Sequence, residues 1–276
     1  MYKTLPLKRR LIDLMRNEWI LPNDIDVSSL VDEMLKALAS IDSDLRDRLT
    51  ATGFYKLVHS EKISDEKCQF LLAELISERH MLCGLGNEED DTVFNRSFSA
   101  IVANDLISYD KILDRRIFTD DEIKSVLSVV LKCIKEEKDL RAFDDIKGWA
   151  HAIAHFGDIL ATLAEDSAIG HYELTEILYA IKDKICIDYY CYISDEDIRL
   201  ADAVSKIIQR EIITEKEFSV WIASFLNYKE TGDLIRDGRL RFNRSNFLWC
   251  ISTRTVSSFP KLYPYVLNTI LKLMEF

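Results

Sequence analysis

Apolar residues recur at helical spacing along nearly the whole chain. Leu30, Met34, Leu35 and Leu38 share one face of a 3.6-residue period. So do Phe70, Leu71 and Leu75, with Glu74 interrupting, and so do Val126, Val129, Val130 and Cys133. Helix starts carry their own chemistry. Thr119-Asp120-Asp121-Glu122 and Thr214-Glu215-Lys216-Glu217 are capping boxes, in which a hydroxyl and a carboxylate each satisfy a backbone N–H that the helix leaves open. Ser194-Asp195-Glu196-Asp197 is a weaker version, and Ser64-Asp65-Glu66 sets acids where the helix dipole favours them. These signals predict about twelve helices, over roughly 6–18, 28–40, 43–58, 64–82, 91–109, 119–137, 147–165, 171–187, 194–210, 214–228, 243–254 and 260–275.

The mean spacing, about 46 residues per helix pair, falls in the range of HEAT and armadillo repeats. A short echo accompanies it: Asp44-Leu45-Arg46, Asp139-Leu140-Arg141 and Asp197-Ile198-Arg199. In helical stacks such acids cap helix starts, and the arginines bridge to neighbouring repeats. Only 8 Gly and 4 Pro occur in 276 residues, too few for a sheet built on many tight turns. The expected fold is therefore all-α: a HEAT/armadillo-like right-handed α-solenoid of about twelve helices. No Pro/Ser-rich linker divides it, so residues 1–276 read as a single repeat domain.

Charge modifies this picture at one end. The chain carries −11 overall, but from Leu234 to Phe276 seven Lys/Arg face two Asp/Glu, about +5 against −16 elsewhere. A basic C-terminal helical cap at about 234–276 is expected, either gripping an acidic partner or docked on its own acidic body. Net acidity argues against nucleic acid as a partner. Six scattered cysteines, with no Cys-x-x-Cys among them, read as reduced thiols of a cytoplasmic protein. Met1 to Trp19 lacks the apolar core of a signal peptide, and no apolar run approaches the ~18 residues of a membrane span.

Several segments together resemble an uncharacterised bacterial family, domain of unknown function 2785. They are Leu38–Asp47, Val93–Ala100, Glu137–Arg141, Gly148-Trp-Ala-His-Ala-Ile-Ala-His155 with Asp158, and Glu196–Ala201, in order over about residues 38 to 210. The chain departs from the family pattern at Ala142 and Phe156, where glycine is the usual residue. The resemblance implies a cytoplasmic α-helical repeat protein and supplies no reaction.

The candidate chemistry centres on the same region. If 147–165 is one helix, His151, His155 and Asp158 fall within about a 60° sector. Trp149, Ile153, Phe156, Leu160 and Leu163 then form the opposite, core-facing side. Two histidines at i, i+4 with a carboxylate could hold a metal ion; they could equally bind a ligand, or bond to the neighbouring repeat. Phe94-Asn95-Arg96-Ser97 recurs at Phe242-Asn243-Arg244-Ser245, reading either as an arginine poised to grip an oxyanion or as an arginine bridging helices. Tyr189-Tyr190-Cys191-Tyr192 reads as a stacking surface or as helix packing. Glycine-rich phosphate loops and hydrolase motifs are missing.

The expected function is a non-catalytic binding or scaffold protein that uses its helical surface for a protein or peptide partner. Arg96, Asp139, Arg141, His151, His155 and Asp158 are expected on a common polar surface, with no resident cofactor. The alternative is a metal-assisted hydrolase or small-ligand-binding protein centred on His151, His155 and Asp158.

Overall fold

In the computed structural model, residues 5–275 are described. Met1–Thr4 and Phe276, the outer edges of the predicted N-terminal segment and C-terminal cap, lie outside them. Twelve α-helices account for most of the chain, and helix of all kinds covers 66% of it. Among the described residues strand is confined to two residues on each side of one hairpin, and the fold class is all-α. Each predicted helix has a counterpart: α1 (Leu7–Arg16), α2 (Val27–Ala37), α3 (Thr52–His59), α4 (Asp65–Leu75), α5 (Thr92–Ile112), α6 (Asp120–Glu136), α7 (Ala152–Ala164), α8 (His171–Ile185), α9 (Glu196–Gln209), α10 (Glu215–Ala223), α11 (Leu234–Ser258) and α12 (Tyr263–Met274). Among the described residues no helix is long and apolar enough to cross a membrane.

Several boundaries differ from expectation: the predicted 64–82 and 214–228 helices end early, at Leu75 and Ala223, and three others start differently. The predicted 43–58 helix opens as a π-helical segment, Asp44–Ala51, before α3. The predicted 243–254 helix starts at Leu234, where Asp233 accepts the N–H groups of Ile235 and Arg236 as the cap. The predicted 147–165 helix starts only at Ala152; the residues before it form β1 (Phe143–Asp144) and β2 (Gly148–Trp149).

The chain folds as two compact units. The first comprises Met1–Val129 with Glu136–His155, and the second Val130–Lys135 with Phe156–Phe276. In the first, α5 packs on α3, α4 and the π-helical segment, and α1 and α2 pack on that segment too. Phe54, Leu71, Leu75, Phe94, Ala103, Leu106 and Ile107 make a dry interior. In the second, α11 packs on α9, α12 and α8, and α10 on α12. Its core gathers Trp221, Phe225 and Phe247, and the Trp221 indole N–H donates to the Leu178 carbonyl at 2.9 Å. Gly157 on α7 lets α9 approach: a Cβ there would meet the Arg199 and Leu200 backbone at 3.1 Å.

All six cysteines are thiols. Burial pushes Cys68 and Cys250 up to about 11 and Cys186 up to about 12.

A carboxyl of α5 is held against its preference. Burial on α5 raises Asp105 to about 7. The folded state therefore holds this proton where the unfolded chain, near 3.8, has lost it. Stability is unaffected below about pH 4 and declines as pH rises through about 7. Asp105→Asn is expected to stabilise by about 1–2 kcal/mol at pH 8, the carboxyl keeping some contact with water, and by little at pH 4. Thermal melts across that range check it; a pH-independent effect would contradict it.

Candidate functional site

The site begins with an arginine that no solvent reaches. Arg46, on the π-helical segment, is 0% exposed. Its guanidinium lies between two rings of α5, 4.2 Å from the Phe94 centroid and 4.6 Å from Phe98. Nη1 donates to the Ser40 carbonyl at 2.8 Å, and Nη2 to the Lys147 and Trp149 carbonyls at 2.8 and 3.1 Å. Asp47 stands 2.8 Å from Nε, yet burial outweighs that cation and raises the carboxyl to about 6. One side chain thus fixes both ends of the segment from Lys147 to Trp149.

That segment closes a β-hairpin. Phe143 pairs with Trp149 and Asp144 with Gly148, leaving Asp145, Ile146 and Lys147 as the loop. Asp144 Oδ1 accepts the N–H groups of Ile146 and Lys147 at 2.9 and 2.8 Å. Those bonds, Lys147's first, hold its carboxyl below the usual range. Gly148, the first residue after the loop, sits at φ +79°, a left-handed conformation that favours glycine, and a Cβ there would strike Ser43 at 2.8 Å. Backbone pairing continues from Ala150 to Ala142 and from His151 to Arg141.

The hairpin corrects the helical reading of this stretch. Trp149 was expected in the core but is 45% exposed. It stacks edge-on against Phe143, 51% exposed, with centroids 5.1 Å apart, and Ile146 at the tip is 88% exposed. His151 is not helical: it sits at φ +54° and its carbonyl accepts the first helical bond, from His155. Its ring is buried, 5.0 Å from the Trp149 ring and 5.6 Å from that of His155. The Ser97 hydroxyl donates to the Ala150 carbonyl, so its 2.7 Å contact with His155 Nδ1 makes that nitrogen the donor. Both histidines are thus tied into the packing beneath the hairpin.

The remaining expected site residues separate. Arg96 is 0% exposed and is not a surface group. It meets buried Glu137 with Nε at 2.6 Å and Nη2 at 2.8 Å, while Nη1 donates to Cys83 O, Gly84 O and Thr92 Oγ1. Asp139 and Arg141 do pair, at 2.7 Å, and Arg141 also donates to the Asp90 carbonyl. Asp158 lies in the second unit and accepts two bonds from Arg199, at 2.9 and 2.8 Å. Among the described residues no group of three or more His, Cys, Asp or Glu is placed to hold a metal ion.

The hairpin that carries the exposed rings and the loop tied to it are acidic. Glu88, Glu89, Asp90 and Asp91 form a loop tied to the hairpin by Lys147–Asp91 at 2.6 Å and Arg141–Asp90. Asp144 and Asp145 lie on the hairpin itself. Against these six carboxylates stand Arg141 and Lys147, both already paired. The hairpin was missed because helical periodicity runs unbroken from Trp149 to Leu163. Asp144-Asp145 followed by Gly148 was the turn signal available in the sequence.

The family model described as protein of unknown function (DUF2785) matches residues 81–252, more than half of the chain. That span contains α5, the hairpin and all six expected site residues. No curated protein and no solved structure matches the chain.

Proposed function

The chain belongs to the DUF2785 family, and on that premise we propose that it is a non-catalytic binding protein of the cytoplasm. Its hairpin docks a short cationic segment of a protein partner. The observation that carries this reading is the solvent-facing trio of Phe143, Ile146 and Trp149 on a hairpin whose second side, Lys147 to Trp149, is held by a fully buried arginine. Exposed aromatics on a rigid frame bind at low entropic cost. The acidic rim supplies the complement for lysine or arginine, and the ring faces suit cation–π contact. A duplex would need a continuous basic stripe instead. The repeat organisation belongs to the same proposal: a right-handed solenoid of HEAT or armadillo type is supported by the helix-pair spacing of about 46 residues.

The test is an array of short peptides mixing Lys/Arg with Leu/Trp, set beside charge-reversed copies. Wild-type protein is expected on the basic spots alone. A Phe143→Ala, Ile146→Ala double variant is expected to lose them while its stability changes by less than about 1 kcal/mol, because both side chains face water. Equal retention on acidic spots, or undiminished binding by the variant, defeats the proposal.

A further inference from the structure

The phrase Phe-Asn-Arg-Ser occurs twice, and the two copies do the same local work. Asn95 Nδ2 donates to the Arg79 carbonyl; Asn243 Nδ2 donates to those of Ile187 and Tyr190. The arginine that follows is buried in both and donates to backbone carbonyls: Arg96 to those of Cys83 and Gly84, Arg244 to those of Leu240 and Phe225. They differ in charge balance. Arg96 has both oxygens of Glu137. Arg244, 6% exposed, has no carboxylate partner among the described residues.

Where a carboxylate would complete Arg244 there is a cavity of about 600 Å³, well within the size of ligand pockets. Arg241, Lys229 and Lys272 line it with Arg244. Arg241 is engaged by Glu230 at 2.9 Å, whereas neither lysine has an ion pair among the described residues. Glu230 and Glu275 are the acids on the wall, so four cations face two carboxylates on a molecule of net charge −11. Such a local reversal of sign concentrates anions. The rest of the wall is apolar: Leu226, Leu273 and the Tyr228 ring, whose centroid is 5.7 Å from the Arg244 guanidinium.

We propose that this cavity, between α11, α12 and the 226–230 segment, binds a small organic dianion. Its oxyanion, a phosphate ester or a pair of carboxylates, completes Arg244 as Glu137 completes Arg96. A planar apolar body lies along Tyr228 and Leu273. Arginine's planar fork suits either oxyanion, and the two lysines add the point charges that a second negative charge requires. The basic C-terminal segment thereby divides its work. Arg236 and Arg254 dock on Asp188 and Asp202, while Arg244 and Lys272 are left for a ligand.

Calorimetric titration of the whole chain with phenyl phosphate, phthalate and inorganic phosphate tests this. Saturable one-site binding of phenyl phosphate or phthalate is expected, and the tighter of the two identifies the oxyanion. Lys272→Gln, at an exposed side chain, is expected to weaken it about tenfold with unchanged melting. Arg244→Gln is expected to abolish it, and should that variant misfold, Lys229→Gln carries the same test as Lys272→Gln. Heats that never saturate into the millimolar range with any probe overturn the proposal. So does unchanged affinity in the lysine variants, and so does inorganic phosphate binding as tightly as phenyl phosphate, which would leave the apolar wall without a role.

Discussion

Replacing Arg46 with leucine is expected to destabilise the first unit by about 3–5 kcal/mol. The change strips donors from the Ser40, Lys147 and Trp149 carbonyls and removes the cation stacked between Phe94 and Phe98. Each buried acceptor left without a partner costs about 1–3 kcal/mol. Arg46→Lys rescues little, because one ammonium cannot span three carbonyls in the plane between two rings. Urea unfolding measures the loss, and a value under about 1 kcal/mol would show that the hairpin does not depend on this side chain. Since Lys147 and Trp149 are held through Arg46, the variant is also expected to lose peptide binding under conditions where most of the protein remains folded.

The second large effect lies 41 residues apart in sequence. Glu137→Ala leaves the Arg96 guanidinium buried without its counter-ion, and about 3–5 kcal/mol of stability is expected to go with it. Replacing both partners with methionine often restores a buried pair to neutrality. Here the restoration is expected to be partial. Cys83 O and Gly84 O would still lack the donor that Arg96 supplies, and the Asp139 N–H would lose its bond to Glu137. Denaturant curves for the single and double variants decide it; full recovery in the double variant would mean that the loop carbonyls find other donors.

The twelve helices were legible because each carries an amphipathic stripe or a cap that acts locally. Thr119 with Glu122 and Thr214 with Glu217 bond as the capping boxes predict. The hairpin was not legible to the same reasoning. Trp149, Ile153, Phe156 and Leu160 keep helical register in sequence, but Gly148 and His151 take positive φ, which no helix tolerates. Of the Asp-apolar-Arg echo, Arg199 does bridge helices, reaching α7 from α9, while Arg141 folds back on Asp139 and Arg46 binds the hairpin carbonyls. Of the six expected site residues, Arg96, Asp139 and His151 are buried and Asp158 belongs to the second unit. Arg96 and His151 face inward and support what Phe143 and Trp149 present. Spacing alone cannot tell which side of a loop faces water when the long-range partners are Ser43, Arg46 and Phe94.

One buried thiol, Cys68, and two partly covered ones, Cys186 and Cys250, make the molecule a reporter of its own opening. Burial raises the thiols of Cys68, Cys186 and Cys250, so at neutral pH each is far less ionised than a cysteine of the unfolded chain. At these three positions an alkylating reagent therefore reacts preferentially with molecules that have locally come apart. Cys68 sits in α4 of the first unit, and Cys186 and Cys250 in the second. Labelling rates at these three positions, followed by mass, yield a separate opening free energy for each unit without a single substitution.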